Sequence, residues 1–235
     1  MNFTSFDIFS KELRLDSNKK LLINTINAHS YNIAKKDVYF QKALFASHIL
    51  LPDGISIVWA VKLFKGETIN RISGYDLFEY EMNRLNKISG KCFFLGSNNE
   101  TLEKIEKRVK IEFPKIHTAT FSPPYKKEFS DEENKLIINT VNAFQPDVLF
   151  IGMTAPKQEK WAFTHFDNLN AKHICSIGAV FDFYAGNIKR APISFQKMGL
   201  EWFYRLIKEP RRMWKRYLIG NIKFIYYILK EKYSM

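Results

Sequence analysis

DVLFIG (147–152) is a run of four apolar residues that opens after an aspartate and stops at a glycine. KCFFLG (91–96) and HICSIG (173–178) repeat the design. Runs of this length, closed by a breaker, read as strands buried on both faces. Gly96-Ser97-Asn98 leads into a segment with Leu102, Ile105 and Val109 at helical spacing, and a further helix is expected from near Pro156. Strands alternating with helices predict an α/β fold, a Rossmann-like parallel sheet with helices on both faces. Ligands in such sheets bind beyond the carboxyl ends of the strands. Gly96, Gly152 and Gly178 stand at three of those ends, where a missing side chain lets the backbone approach a ligand closely.

Working outward, the N-terminal half predicts a strand over 21–27, a helix over 32–45 and a short strand over 48–51 that ends at Pro52-Asp53-Gly54. Helices are expected over 57–63 and 74–86. The apolar run AVFDFYAG (179–186) reads as strand-like and ends in a glycine turn. After Pro192 the chain changes character. From Arg190 onward there are eleven lysines and arginines against Glu201, Glu209 and Glu231, which is +8 of the chain's +12. A helix over 199–208 is broken at Pro210, and a second begins near Arg211. Trp214, Tyr217 or Leu218, Ile222, Ile225 and Leu229 fall on one face of it, and Arg212, Arg216, Lys223 and Lys230 on another. Such a basic, aromatic helix suits either a membrane interface or an ordinary surface helix with solvated lysines. The expected division is an α/β domain over 1–192 and a basic helical membrane-docking appendage over 193–235.

With 235 residues, 46% hydrophobic and 15% aromatic, the chain can bury a sizeable core. The first twenty residues carry Asp7, Lys11, Glu12, Arg14 and Asp16 and no signal-peptide stretch. No apolar run of about 18 residues suggests a spanning helix. Cys92 and Cys175 lie in buried-strand runs and read as reduced thiols.

Asp53 follows an apolar strand, where a partly desolvated carboxylate could serve as a general base. Asp-Gly is equally a common turn dipeptide. Asp182, between Phe181 and Phe183, suits either a ligand's ribose or base or a structural cap. Gln158 could hydrogen-bond a ligand, while Glu159 reads as a first-turn carboxylate that favours the helix dipole. G-x-G-x-x-G, G-x-x-x-x-G-K-[ST] and G-x-S-x-G are all missing. No D-x-D triplet offers a metal clamp, and the five histidines show no ligand spacing. A diphosphate leaving group would have to be neutralised by arginines.

INAHSYNIAKKD (26–37), LLPDGISIVWAVK (50–62), RISGYDL (71–77), APKQEKW (155–161), GAVFDFYAGNIKRAP (178–192) and EWFYRLIKEPRRMWKRY (201–217) occur in order over nearly the whole chain. Together they resemble the WecG/TagA/CpsF family of bacterial glycosyltransferases. The resemblance implies an inverting transferase that needs neither metal nor other cofactor. It would move an N-acetylhexosamine-type sugar from a UDP donor to a sugar carried on polyprenyl diphosphate, in synthesis of a cell-surface polysaccharide. It implies Asp53 as base, Thr25 and Asn27 as polar companions, Arg71 as an active-site arginine, and Arg205 and Arg212 as appendage arginines. Arg211 and Arg216 are further candidates. A cytoplasmic enzyme peripheral to the anionic inner face of the membrane follows, with self-association permitted. Thr154 and Ser176 stand where the family pattern has glycine, next to the expected donor pocket.

A nucleic-acid-binding role would use the same basic tail but leaves Asp53 and the strand-end glycines unexplained, so no nucleic-acid partner is expected. A methyltransferase would need a glycine-rich loop after the first strand. An inactive scaffold of a polysaccharide assembly complex is a third alternative.

Overall fold

The computed structural model describes residues 1–234. Six strands form one parallel sheet: β1 (Leu21–Ile26), β2 (Ile49–Pro52), β3 (Lys91–Gly96), β4 (His117–Phe121), β5 (Val148–Gly152) and β6 (His173–Ser176). Their order is β2-β1-β6-β5-β3-β4. The expected α/β class and two-faced sheet are therefore what the chain forms.

The strand pleat divides each apolar run between two cores. Leu22, Phe93, Leu95, Leu149, Ile151 and Ile174 meet Ile137, Val141, Trp161 and Ala162. These last four belong to α6 (Asp131–Phe144) and α7 (Lys157–His165). Ile23, Cys92, Phe94, Val148, Phe150 and Cys175 point the opposite way. They pack on Phe78, Met82, Ile105 and Phe181 of α4 (Gly74–Ile88), α5 (Asn99–Glu112) and α8 (Val180–Tyr184). A third cluster joins Phe3, Phe6, Tyr31, Phe40 and Val61 to Phe224 and Ile228. It packs together α1 (Ala28–Ala34), α2 (Val38–Phe45), α3 (Ile55–Lys65) and α12 (Gly220–Tyr233). The N-terminal segment covers the β2 edge: Ile8 bridges Leu50 in parallel, and the Phe9 amide donates to the Leu50 carbonyl at 2.9 Å. Pairing in this way removes an exposed edge.

Two local expectations are revised, and two elements are new. The single helix over 32–45 is two helices, because each has its own cap. Asn27 Oδ1 accepts from the His29 and Ser30 amides at 3.1 and 3.0 Å, and Asp37 Oδ1 accepts from the Phe40 amide at 2.9 Å. The run through Phe183 is not strand-like. Gly178 turns the chain at φ +55°, and Val180–Tyr184 is helical. β4 and α6 were not foreseen from the sequence. The four last residues of β4 are only half-buried, and its HTATF sequence carries little apolar signal.

After Pro192 the chain forms α9 (Ile193–Lys197), α10 (Glu201–Lys208), α11 (Pro210–Trp214), a π turn over Lys215–Ile219 and α12. The break at Pro210 falls where expected, with proline at the first helical position. The face expected to be apolar stays uncovered: Trp214, Leu218, Ile222, Ile225 and Leu229 are all exposed. A different stripe, Met213, Phe224 and Ile228, is buried.

One charged cluster holds the far end of α12. Glu231 accepts from the Phe3 amide and the Tyr31 hydroxyl, both at 2.6 Å, and pairs with Lys35. We expect Glu231→Ala to cost ~2–3 kcal/mol, because Tyr31 and Lys35 lose a charged acceptor in a mostly buried setting. Hydrogen exchange should then rise in α12 while the sheet amides stay protected; uniform acceleration would contradict a local clamp.

Candidate active site

A cavity of about 1600 Å³ opens at the carboxyl edge of the sheet. Thr25, Asp53, Ser97, Ser122, Gly152 and Ile177 bring all six strand ends to it, and α10 to α12 form its opposite wall. Single-ligand pockets measure about 300–1,000 Å³, so this volume suits two substrates.

Asp53 follows β2, held by its amide donating to the Ile26 carbonyl at 2.9 Å. Its carboxylate accepts no hydrogen bond from any described residue and faces the cavity. Burial pushes this carboxyl up to about 6. The negative charge of Glu201 adds to the rise, and Arg71 and Arg216 oppose it. A carboxyl in this range can take a proton near neutral pH.

Beside it lies a network of four charges. Arg71 sits 3.5 Å from Glu201 and 3.9 Å from Asp76, and Arg190 sits 3.5 Å from Asp76 and 3.7 Å from Glu201. The network joins α10 to the start of α4. Arg190 also stacks over Tyr75 at 4.1 Å. Of these residues, Arg71 alone was singled out for the site from sequence. Arg190 was read only as charge, and the carboxylates Asp76 and Glu201 gave no local signal.

Arg205, Arg212 and Arg216 line the cavity, whereas Arg211 does not. The Nε atoms of Arg205 and Arg216 are buried without a hydrogen-bond partner. Burial also holds Arg216 below its usual value, with Arg205 and Arg212 acting in the same sense. Neighbouring His29 is pushed down to about 4 by burial and then by Arg216, so it is neutral at pH 7. Like charges gathered around unfilled donors form a setting that an anion would relieve. The π turn places Arg216 within a widened stretch of helix, a feature frequent at functional sites.

The other expected residues divide. Thr25, Gly178 and Asp182 line the cavity, as does Gln158. Asn27 lines it too, but its side-chain oxygen is spent on capping α1. The space at two strand-end glycines is filled by protein. A Cβ at Gly96 would lie 2.5 Å from the Gly152 carbonyl oxygen, and one at Gly152 would lie 2.4 Å from the Phe181 ring. Gly96 lies beneath the cavity wall, with Ser97 in its place at the surface. Glu159 differs from a solvated first-turn carboxylate: it is 2% exposed, and burial pushes it up to about 7. The loop after β4, with Pro123, Pro124 and fully exposed Tyr125, adds a rim that the sequence did not announce. Among the described residues, no three His, Cys, Asp or Glu side chains gather as a metal site.

The glycosyl transferase WecG/TagA/CpsF family matches residues 4–235. The chain belongs to that family. It is a glycosyltransferase. It is 30% identical over 231 residues to the N-acetylglucosaminyldiphosphoundecaprenol N-acetyl-beta-D-mannosaminyltransferase of Bacillus subtilis strain 168, covering 98% of this chain and 88% of the relative. The protein of the same name from Staphylococcus aureus strain MW2 is 30% identical over 220 residues, covering 92% and 82%. No described helix is long and apolar enough to cross a membrane.

The raised Asp53 value makes a stability prediction. Its folded value lies above the ordinary aspartate value of 3.8, so between about pH 4 and 6 the folded state binds more protons than the unfolded one. Stability from this group therefore falls as pH rises through that window. Asp53→Asn removes the penalty. Thermal scans should show the variant gaining in Tm over wild type at pH 8 and not at pH 4; an equal gain at both would refute the assignment.

Proposed function

We propose that the enzyme transfers an N-acetylhexosamine-type sugar from UDP to a sugar carried on polyprenyl diphosphate, with inversion and without a metal. The observation that carries this is Asp53, proton-accepting and free of protein partners, in one cavity with Arg205, Arg212 and Arg216. The named activity of the relatives, transfer of N-acetylmannosamine to an N-acetylglucosaminyl-diphospho-undecaprenol, supports the same substrate classes.

In this mechanism Asp53 accepts the proton of the acceptor hydroxyl as that oxygen attacks the anomeric carbon. The bond from that carbon to the diphosphate oxygen breaks on the opposite face, and its electron pair leaves with UDP. The arginines stabilise the developing negative charge. Arg71, held by Glu201 and Asp76, fixes the charge around Asp53. Exposed Ile222, Ile225 and Leu229 of α12 line the cavity together with exposed Trp59 of α3. They suit a lipid-linked acceptor at an anionic membrane face, where each well-placed cation contributes about 1 kcal/mol. The cellular role that fits is synthesis of a cell-surface polysaccharide on the inner face of the membrane.

UDP release should be measured with a polyprenyl-diphosphate sugar and a panel of UDP-sugars, with and without chelator. We expect turnover with one donor, insensitive to the chelator. Asp53→Asn should lower kcat about 10²–10⁴-fold, and Arg216→Ala about 10²-fold. An Asp53→Asn enzyme with wild-type kcat would remove Asp53 as the base.

A further inference from the structure

We infer that Glu159 reads the nucleoside part of the donor, its Oε2 accepting a hydrogen bond from a base N–H or a ribose hydroxyl. This rests on the UDP-donor reading above.

A short chain of hydrogen bonds orients the pair that forms this part of the wall. The Met153 amide donates to Gln158 Oε1 at 3.2 Å, which fixes the Gln158 amide the other way round, and its Nε2 donates to Glu159 Oε1 at 2.9 Å. Gln158 and Glu159 are 4% and 2% exposed, and both line the cavity. Glu159 Oε2 is buried and has no partner. Among the described residues, no lysine, arginine or histidine pairs with it. A buried carboxylate lacking both a counter-charge and a second hydrogen bond is a costly arrangement. A ligand donor at Oε2 would relieve it, and the Gln158–Glu159 bond already holds the carboxyl in place for one.

Position in the sheet selects which part of the donor it meets. Asp53 follows β2, while the Gln158 amide lies 3.5 Å from where a Cβ on Gly178 would be, at the end of β6, two strands away in the order β2-β1-β6. At ~4.8 Å between strands this is roughly 10 Å, and Glu159 is not among the charges that act on Asp53. Glu159 therefore sits too far from Asp53 to touch the anomeric centre, and the remote end of a sugar nucleotide is its nucleoside. The chemistry required is an N–H or O–H donor. Uracil offers its imide N–H, and ribose offers two hydroxyls.

Calorimetric titration of the full chain with UDP, 3-methyl-UDP, 2′-deoxy-UDP and 3′-deoxy-UDP tests this without any variant. Loss of about ten- to hundredfold in affinity with one analogue is expected, in line with an unsatisfied buried group; the analogue affected identifies base or ribose. Glu159→Gln keeps the acceptor for Gln158 but places an NH₂ where Oε2 was. It should weaken UDP by a similar factor, erase the discrimination against that analogue and leave Tm at or above wild type. Equal binding of UDP and all analogues by the unmodified chain would overturn the inference, as would equal UDP affinity in Glu159→Gln. Failure of the unmodified chain to bind UDP at all would overturn the donor reading, and this inference with it.

Discussion

Glu201 is the residue through which the tail and the sheet act on one another. It lies between Arg71 and Arg190, which also hold Asp76, so one carboxylate ties the first helix of the cavity wall to the start of α4. The same charge raises the Asp53 carboxyl, against the pull of Arg71 and Arg216. Remove Glu201 and two effects would oppose one another. The arginines would be free to hold Asp53 ionised, and the wall would lose its anchor near the reacting centre. Glu201 thus adds to the basicity that burial gives Asp53 and also anchors α10 beside it.

A second constraint is the expense of the cavity wall. Asp53 and Glu159 are carboxyls whose burial disfavours their charged forms, and Arg216 is a buried cation. Arg205 and Arg216 each leave a donor unfilled. A fold can carry such groups when the surrounding packing is good, and here the sheet below is packed on both faces by aromatic and branched side chains. The stability comes from the apolar layers and is partly spent at the strand ends.

How far the sequence disclosed this depends on the range of the interactions. Strand runs such as KCFFLG and DVLFIG were readable because burial on both faces leaves a local mark. The Pro210 break was readable because proline interrupts a helix by itself. β4 was not, since HTATF at a sheet edge has a composition close to that of a loop. The split of the 32–45 helix hinged on Asn27 and Asp37 acting as caps, a choice that composition does not make. Within the site, Asp53 stood out because a strand-end turn presents it. Glu159 was taken for a dipole-favouring residue, and only the packing of α7 on β5 and β6 shows it to be buried. The Arg71–Glu201 and Arg190–Asp76 pairs join residues far apart in the chain, so no window of sequence could have paired them. The exposed stripe on α12 was visible as a pattern, but the stripe that docks, Phe224 and Ile228, was not separable from it by periodicity alone.

The clamp at Glu231 bears on the order in which the protein becomes competent. Tyr31, Lys35 and the Phe3 amide wait near the start of the chain for a partner 200, 196 and 228 residues later. During synthesis the sheet and Asp53 can be in place while the arginine wall is still unmade. Glu231 is made after Arg205, Arg212 and Arg216, so the helix that continues the arginine wall is fastened to α1 only once those arginines are already in the chain.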